Sequence, residues 1–290
     1  MASKRSFPGL GRLLSGRGGN RNEAETVQEE INRVPGAEAS ARLDPWWWLV
    51  VGVIVLLTLM MVFSPTPYWD IFRFVGDGIW ITIQLTIYAF ILTLIIGMVG
   101  GIGRIAANPV IKFISTIYVE IIRGIPLLVQ LIWWYFAAPA IIKTIGESIN
   151  WAPMANFKAN AMVFAVVGLG VCYGAYMAEI FRAGIQSIPK GQMEAARSLG
   201  MSYFQAMRYV VVPQAIRVVL PPVGNEFIML IKDTSLVSAV AMADLTRRGR
   251  EYMSAHFNPI ETWTMIALLY LVLTLLSARL IAWLESRRKY

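Results

Sequence analysis

The apolar residues of this chain arrive in blocks about as long as the roughly 20 helical residues needed to cross a bilayer's hydrocarbon core. Inside such a block the backbone has no water to bond, and a helix alone satisfies it within one segment. The expected spans are 46–63, 78–103, 113–138, 159–183, 214–240 and 260–284, which define an all-α polytopic membrane protein with about six transmembrane helices. Composition agrees: 57% of the residues are hydrophobic and 15% charged, against about a quarter charged in soluble domains. Trp46, Trp47 and Trp48 at the start of the first span, and Tyr68 and Trp69 beyond its end, suit interfacial anchors. That span follows a long polar leader with no short basic segment before it, so it reads as a retained helix and not a signal peptide.

Of the 26 Lys and Arg, most fall on one side of the expected membrane: the leader, Arg104 and Lys112, the long connection with Arg182, Lys190, Arg197, Arg208 and Arg217, and the C-terminal end. The positive-inside bias therefore predicts both termini in the cytoplasm, with Arg247, Arg248 and Arg250 running against the trend. The formal charge of +8 reads as topology, not as a nucleic-acid face. In the leader, Val27, Ile31 and Val34 beside acidic residues fit either a short amphipathic helix or a solvated tail. Cys172 is the only cysteine and His256 the only histidine, which excludes an intrachain disulfide and leaves poor material for a metal site or a catalytic triad.

The connection between the fourth and fifth spans carries the most specific pattern. Ser187 and Pro189 suit a helix start and Gly200 its left-handed stop. Ser202 through Gln205 has capping-box spacing, so a second helix begins there. Met193, Ala196 and Leu199 share one face of the first helix. A short, firmly capped helix of this kind serves either as a docking element for a partner or as a loop helix lying on lipid headgroups.

The run Glu194-Ala195-Ala196, Gly200 and then Val210-Val211-Val212-Pro213 resembles the EAA loop of permease subunits in binding-protein-dependent ABC importers, with Val at both apolar positions of the usual Ile-x-Leu-Pro ending. Thr82 to Thr86, Glu120 to Gln130, Ala175 to Ile185, Pro213 to Arg217 and Lys232 to Leu236 resemble, more narrowly, the permeases for histidine, glutamine, glutamate, arginine and opines. Ile125 stands where many relatives have Thr. The likeness runs from about residue 79 to the C-terminus. It implies a type I ABC importer permease-like core of five helices plus one N-terminal helix. The implied layout is a cytoplasmic leader 1–45, a helix 46–63, a core 78–285 with a coupling loop 186–213, and a cytoplasmic tail 286–290.

The resemblance further implies a multi-pass subunit of the cell (inner) membrane that moves polar amino acids delivered by an extracytoplasmic binding protein. It implies two ABC ATPase subunits seated on the loop, and a second permease that is either another copy or a paralogue. Glu194, Ala195, Ala196, Leu199 and Gly200 are then the ATPase-coupling residues. The chain is expected to be no enzyme and to hold no cofactor, with ATP and Mg on the partner ATPase; the dipeptide Gly-Lys is absent, so there is no Walker A loop.

Charges at bilayer depth are costly and usually face the bundle interior. Glu120 and Arg123, and likewise Glu179 and Arg182, lie three residues apart and can pair along one helix face. Asn225, Glu226, Lys232 and Asp233 bring polarity to the fifth span. By likeness to related importers, whose polar cavity lies around the third to fifth spans, Glu120, Arg123, Glu179, Asn225, Lys232 and Thr234 are the candidates for the substrate path. The competing reading of each ion pair is a lock on helix packing. Pro126, Pro221 and Pro222 are expected to break helices near such a cavity. Glycines 97 and 101, and 170 and 174, suit close helix packing. The rival function is a stand-alone carrier driven by an ion gradient, which calls for inverted repeats that the sequence does not display.

Overall fold

The structure, a computed structural model, describes residues 45–240 and 242–286. The leader, including the amphipathic helix weighed there, and residues 287–290 lie outside the described residues. The described helices are α1 (Pro45–Phe63), α2 (Pro65–Ile105), α3 (Pro109–Gly124), α4 (Leu127–Ser148), α5 (Ala152–Ala155), α6 (Ala161–Gln186), α7 (Lys190–Ser198), α8 (Tyr203–Val240), α9 (Leu245–His256) and α10 (Pro259–Ser286). Of these, α1, α2, α4, α6, α8 and α10 are long and apolar enough to cross a membrane.

The local chemistry that sets their ends is visible. Asn108 caps α3 by accepting from the amides of Val110 (2.9 Å) and Ile111 (3.3 Å). Asn160 caps α6 through Val163 (3.2 Å). Each such acceptor satisfies an amide that the first helical turn leaves unpaired. Two wide, five-residue π turns interrupt the spans, Trp133–Ala137 in α4 and Met207–Val211 in α8. Each holds the carbonyl four residues before a proline, Pro139 or Pro213, which has no N–H to reach it.

The expected third span, 113–138, is divided. Gly124, Ile125 and Pro126 end α3, and the long apolar helix is α4, starting at Leu127. The break is closed by Gln130, whose Nε2 donates to the carbonyls of Ile122 and Ile125, each at 2.8 Å. Pro126 thus breaks a helix as expected. Pro221 and Pro222 do not, because both sit inside a continuous stretch of α8. Each removes one backbone bond while the neighbouring turns keep theirs, which a packed membrane helix tolerates.

α2 and α6 form the spine. Along α2, Leu85, Ala89, Thr93, Gly97 and Gly100 are buried, whereas Ile87, Ile91, Ile95, Met98 and Ile102 are exposed one helical face away. Such a stripe suits lipid or a partner helix, not water. The two backbones touch through glycine. A Cβ added at Gly97 would lie 2.5 Å from the Cβ of Met177, and at Gly101 2.9 Å from the carbonyl oxygen of Ala178. Gly170 and Gly174 receive Leu92 and Ile96 in return. Small residues let the helices approach until dispersion contacts are dense, the association force available in lipid. Apolar clusters fill the space around the spine. One joins α2, α4, α6 and α8 through Leu85, Leu131, Leu169 and Leu230; another joins α2, α9 and α10 through Ile71, Leu245 and Met265, with Leu57 and Met61 of α1 packed on it.

Candidate functional site

Among the described residues, polar groups gather in the bundle interior, at the end of α2 and α6, on the loop and at a buried cap at the far end, and these positions separate the sequence candidates. The first is a cavity of about 130 Å³ between the start of α4, the middle of α6 and the second half of α8. It is lined by Leu127, Cys172, Tyr173, Tyr176, Glu226, Met229 and Asp233. Glu226 and Asp233 are seven residues apart on α8, two turns, so both reach the same face. The Tyr173 hydroxyl donates to Asp233 Oδ2 at 2.7 Å. Arg123, from the end of α3, stacks over the Tyr176 ring with its Cζ 5.2 Å from the centroid, within cation–π range. Three helices therefore bring two carboxylates, two phenol rings and one guanidinium to one opening.

Of the sequence candidates, Arg123 reaches this opening through Tyr176. Asn225 and Lys232 are exposed and do not line it, and Thr234 is fully buried with its hydroxyl donating to the carbonyl of Ile231 at 2.7 Å. Glu226 and Asp233, named in sequence only as polar members of the fifth span, are the carboxylates of its lining. Their seven-residue spacing was the available signal.

The second region lies at the end of α2 and α6 next to the loop. Here Glu120 does not pair with Arg123. It meets Arg104 at 3.5 Å, and Arg104 also binds Glu179 at 2.5 Å. The reason is geometric: the end of α3 turns Arg123 toward Tyr176, while Glu120 faces back across to α2. The Glu179–Arg182 pair forms as the three-residue spacing predicts, with Arg182 Nε 3.2 Å from Glu179 Oε2. Arg182 continues to Gln186 Oε1 at 2.5 Å. Arg104, counted in sequence only as an orientation charge, is the hub, and nothing local to residue 104 announces that.

The third region is the loop. Helix α7 begins at Lys190, one residue after Pro189. Ser187 does not cap it, since its hydroxyl donates to the carbonyl of Gly184 at 2.8 Å within the last turn of α6. Gly200 has φ of +83° and closes the helix, with its amide bonded to the carbonyl of Arg197 and that of Met201 to Ala196. That left-handed geometry favours glycine. The capping box follows: Ser202 Oγ accepts from the Gln205 amide (3.3 Å) and Gln205 Oε1 from the Ser202 amide (2.8 Å). Ala196 is buried against the body, while Glu194 and Ala195 are exposed. Leu199 (81% exposed), Tyr203, Phe204 (72%) and Tyr209 project outward. Large apolar groups exposed together at the end of α7 and the start of α8 fit an interaction surface.

At the opposite end of the bundle, Asp244 caps α9 and is fully buried. Its oxygens accept from the amides of Thr246 and Arg247, each at 3.1 Å, and from the Tyr270 hydroxyl at 3.3 Å. Burial raises its pKa from 3.8 to about 6, against the opposing pull of those hydrogen bonds. Nearby, Arg248 forks onto Asp77 of α2, with its Nε 3.0 Å from Oδ2, and reaches Glu251 at 2.8 Å. These partners hold its charged form more firmly than usual.

The broken third helix, the glycine-packed spine and the capped loop before the fifth span belong to a bundle whose class comparison with known proteins identifies. Residues 94–290 match the family model described as binding-protein-dependent transport system inner membrane component. The chain belongs to that family: it is a multi-pass permease subunit of an ABC importer. It is 34% identical over 268 residues to the arginine transport system permease protein ArgU of Corynebacterium glutamicum, covering 84% of this chain and 83% of that protein. It is 33% identical over 229 residues to the glutamine transport system permease protein GlnP of Escherichia coli K12, covering 79% of this chain and 99% of that protein. A crystal structure of an amino acid ABC transporter with histidines superposes with a TM-score of 0.65 at 35% identity, over 80% of this chain and 98% of that one. Nothing in these likenesses supports a stand-alone ion-driven carrier.

Proposed function

We propose that this permease passes polar amino acids bearing a cationic group, received from an extracytoplasmic binding protein, and that partner ATPases drive it through the α7 loop. The observation that carries the substrate class is the cavity between α4, α6 and α8, whose lining carboxylates are Glu226 and Asp233. Two carboxylates favour a cationic guest, one facing the α-ammonium and the other a charged side chain. Arg123 at the rim is the group suited to the α-carboxylate, and its guanidinium can leave the Tyr176 face to form a bidentate pair. The named relatives include an arginine permease and a glutamine permease, and the second carboxylate favours the former kind of substrate. The partner permease supplies the other wall of a central path. The leader, the α7 loop and the C-terminal tail face the cytoplasm in this reading, consistent with the distribution of Lys and Arg.

Proteoliposomes holding the permease with its ATPase test this directly. Uptake of labelled arginine that needs internal ATP and binding protein, and survives an ionophore, is the expected result. Uptake by the permease alone, abolished by the ionophore, would overturn the importer reading. Equal uptake of glutamate and arginine would overturn the cationic preference alone.

A further inference from the structure

We infer that Arg104 is the positioning residue that ties the end of α6, the root of the coupling loop, to α2 and α3, so that motion of α7 is delivered to the bundle and not absorbed at that root. The inference rests on the importer reading above. Arg104 is only 14% exposed, yet it holds carboxylates from two other helices, Glu120 of α3 and Glu179 of α6. Glu179 is in turn shared with Arg182, and Arg182 holds Gln186, the last residue of α6. The polar chain Glu120–Arg104–Glu179–Arg182–Gln186 thus crosses three helices. It ends at the edge of a groove of about 450 Å³ that Gln186 lines together with Lys190 and Met193 of α7.

Backbone packing at the same level makes the clamp rigid. A Cβ at Gly100 would meet Ala178, one at Gly101 would meet Phe181, and one at Gly103 would meet Ser115 of α3. At this depth α2 therefore cannot slide on α6 or α3 without losing either backbone contact or charge pairing. Charge-assisted hydrogen bonds are directional as well as strong, and the planar guanidinium sets the angle at which its two terminal nitrogens hold Glu179 and Glu120. Leaving one carboxylate of a part-buried pair without its partner is costly, so the clamp resists being opened during a stroke.

The test uses the assembled complex in proteoliposomes and reads moles of substrate moved per ATP hydrolysed, a ratio that a loss of yield or stability does not change. Arg104→Gln is expected to lower that ratio about tenfold, the rate equivalent of one charge-assisted hydrogen bond. Hydrolysis should continue but cease to respond to substrate-loaded binding protein. Arg104→Lys, which keeps the charge without the fork, is expected to fall between. Should Arg104→Gln not assemble, Arg104→Lys and Gln186→Ala carry the test, the latter cutting the exposed end of the chain. A wild-type ratio in the variants that assemble, with uptake and hydrolysis falling together or not at all, would overturn the inference. ATP-independent uptake by the wild type would instead sink the importer reading, so the two failures are distinguishable.

Discussion

Asp244→Asn is the perturbation that most sharply tests how the buried end of α9 is built. The carboxyl group is fully buried, and burial lifts its pKa from 3.8 to about 6. A raised acid pKa means that the folded state binds the proton more tightly than the unfolded chain. Its contribution is then fully present below pH 3.8 and is lost as pH rises through about 6. At about 1.4 kcal/mol per pKa unit the full span is about 3 kcal/mol, of which about 2.4 kcal/mol is lost between pH 4 and pH 7. Asparagine keeps one oxygen for the Thr246 or Arg247 amide and carries no charge, so its stability should lack this slope. The assay is denaturant unfolding of the permease in micelles, followed by the fluorescence of its 10 tryptophans. Other carboxylates titrate in both proteins, so the readable quantity is the difference between the two pH profiles. The profiles should diverge by about 2.4 kcal/mol between pH 4 and pH 7, with the wild type the steeper. Asp244→Ala should cost about 1 kcal/mol relative to Asn from the lost cap. Parallel profiles for wild type and Asp244→Asn would refute the assignment of a buried, proton-binding cap.

Further outcomes follow from the same geometry. Gly200→Val, at φ +83°, forces a β-branched residue into left-handed backbone at a cost of about 1–2 kcal/mol; ATPase association measured by co-purification should weaken, with binding-protein affinity unchanged. Glu226→Gln is expected to reduce arginine uptake about tenfold or more, a loss of about 1.4 kcal/mol of transition-state stabilisation, while leaving the complex assembled by size-exclusion chromatography. Gly97→Leu places a side chain where even a Cβ lies 2.5 Å from Met177; overpacking of this kind costs about 1–3 kcal/mol and should lower the thermal midpoint in detergent. Phe204→Ser, at a ring 72% exposed, should leave that midpoint within experimental scatter and weaken ATPase co-purification; an unchanged complex would remove Phe204 from the docking surface.

The parts legible in sequence are those whose physics is local. Gly200 and the Ser202–Gln205 box could be read because a left-handed stop and a reciprocal cap involve residues three or four apart. The Glu179–Arg182 pair was legible for the same reason. Ser187 fits a cap by residue type, yet the last turn of α6 offers its hydroxyl a carbonyl first. Pro221 and Pro222 each remove a backbone bond and so suit helix breaks in sequence; the surrounding helix keeps enough others to continue. Glu120 has Arg123 as its partner by spacing, and its partner in the fold lies on another helix.

What the amino-acid sequence alone determined is therefore the solvent this protein folds in, most of its membrane-crossing helices, and the loop that carries the EAA pattern. A bilayer imposes block length, and caps and turns are settled within one helical turn. Tertiary structure alone decided which charges meet. Arg104 lies 75 residues from Glu179 and the Tyr173 hydroxyl 60 from Asp233, and only the glycine contacts between α2 and α6 bring the first pair within reach. Spacing predicts partners along a helix. Between helices, the partner is chosen by which faces pack, and that choice is made by the whole bundle.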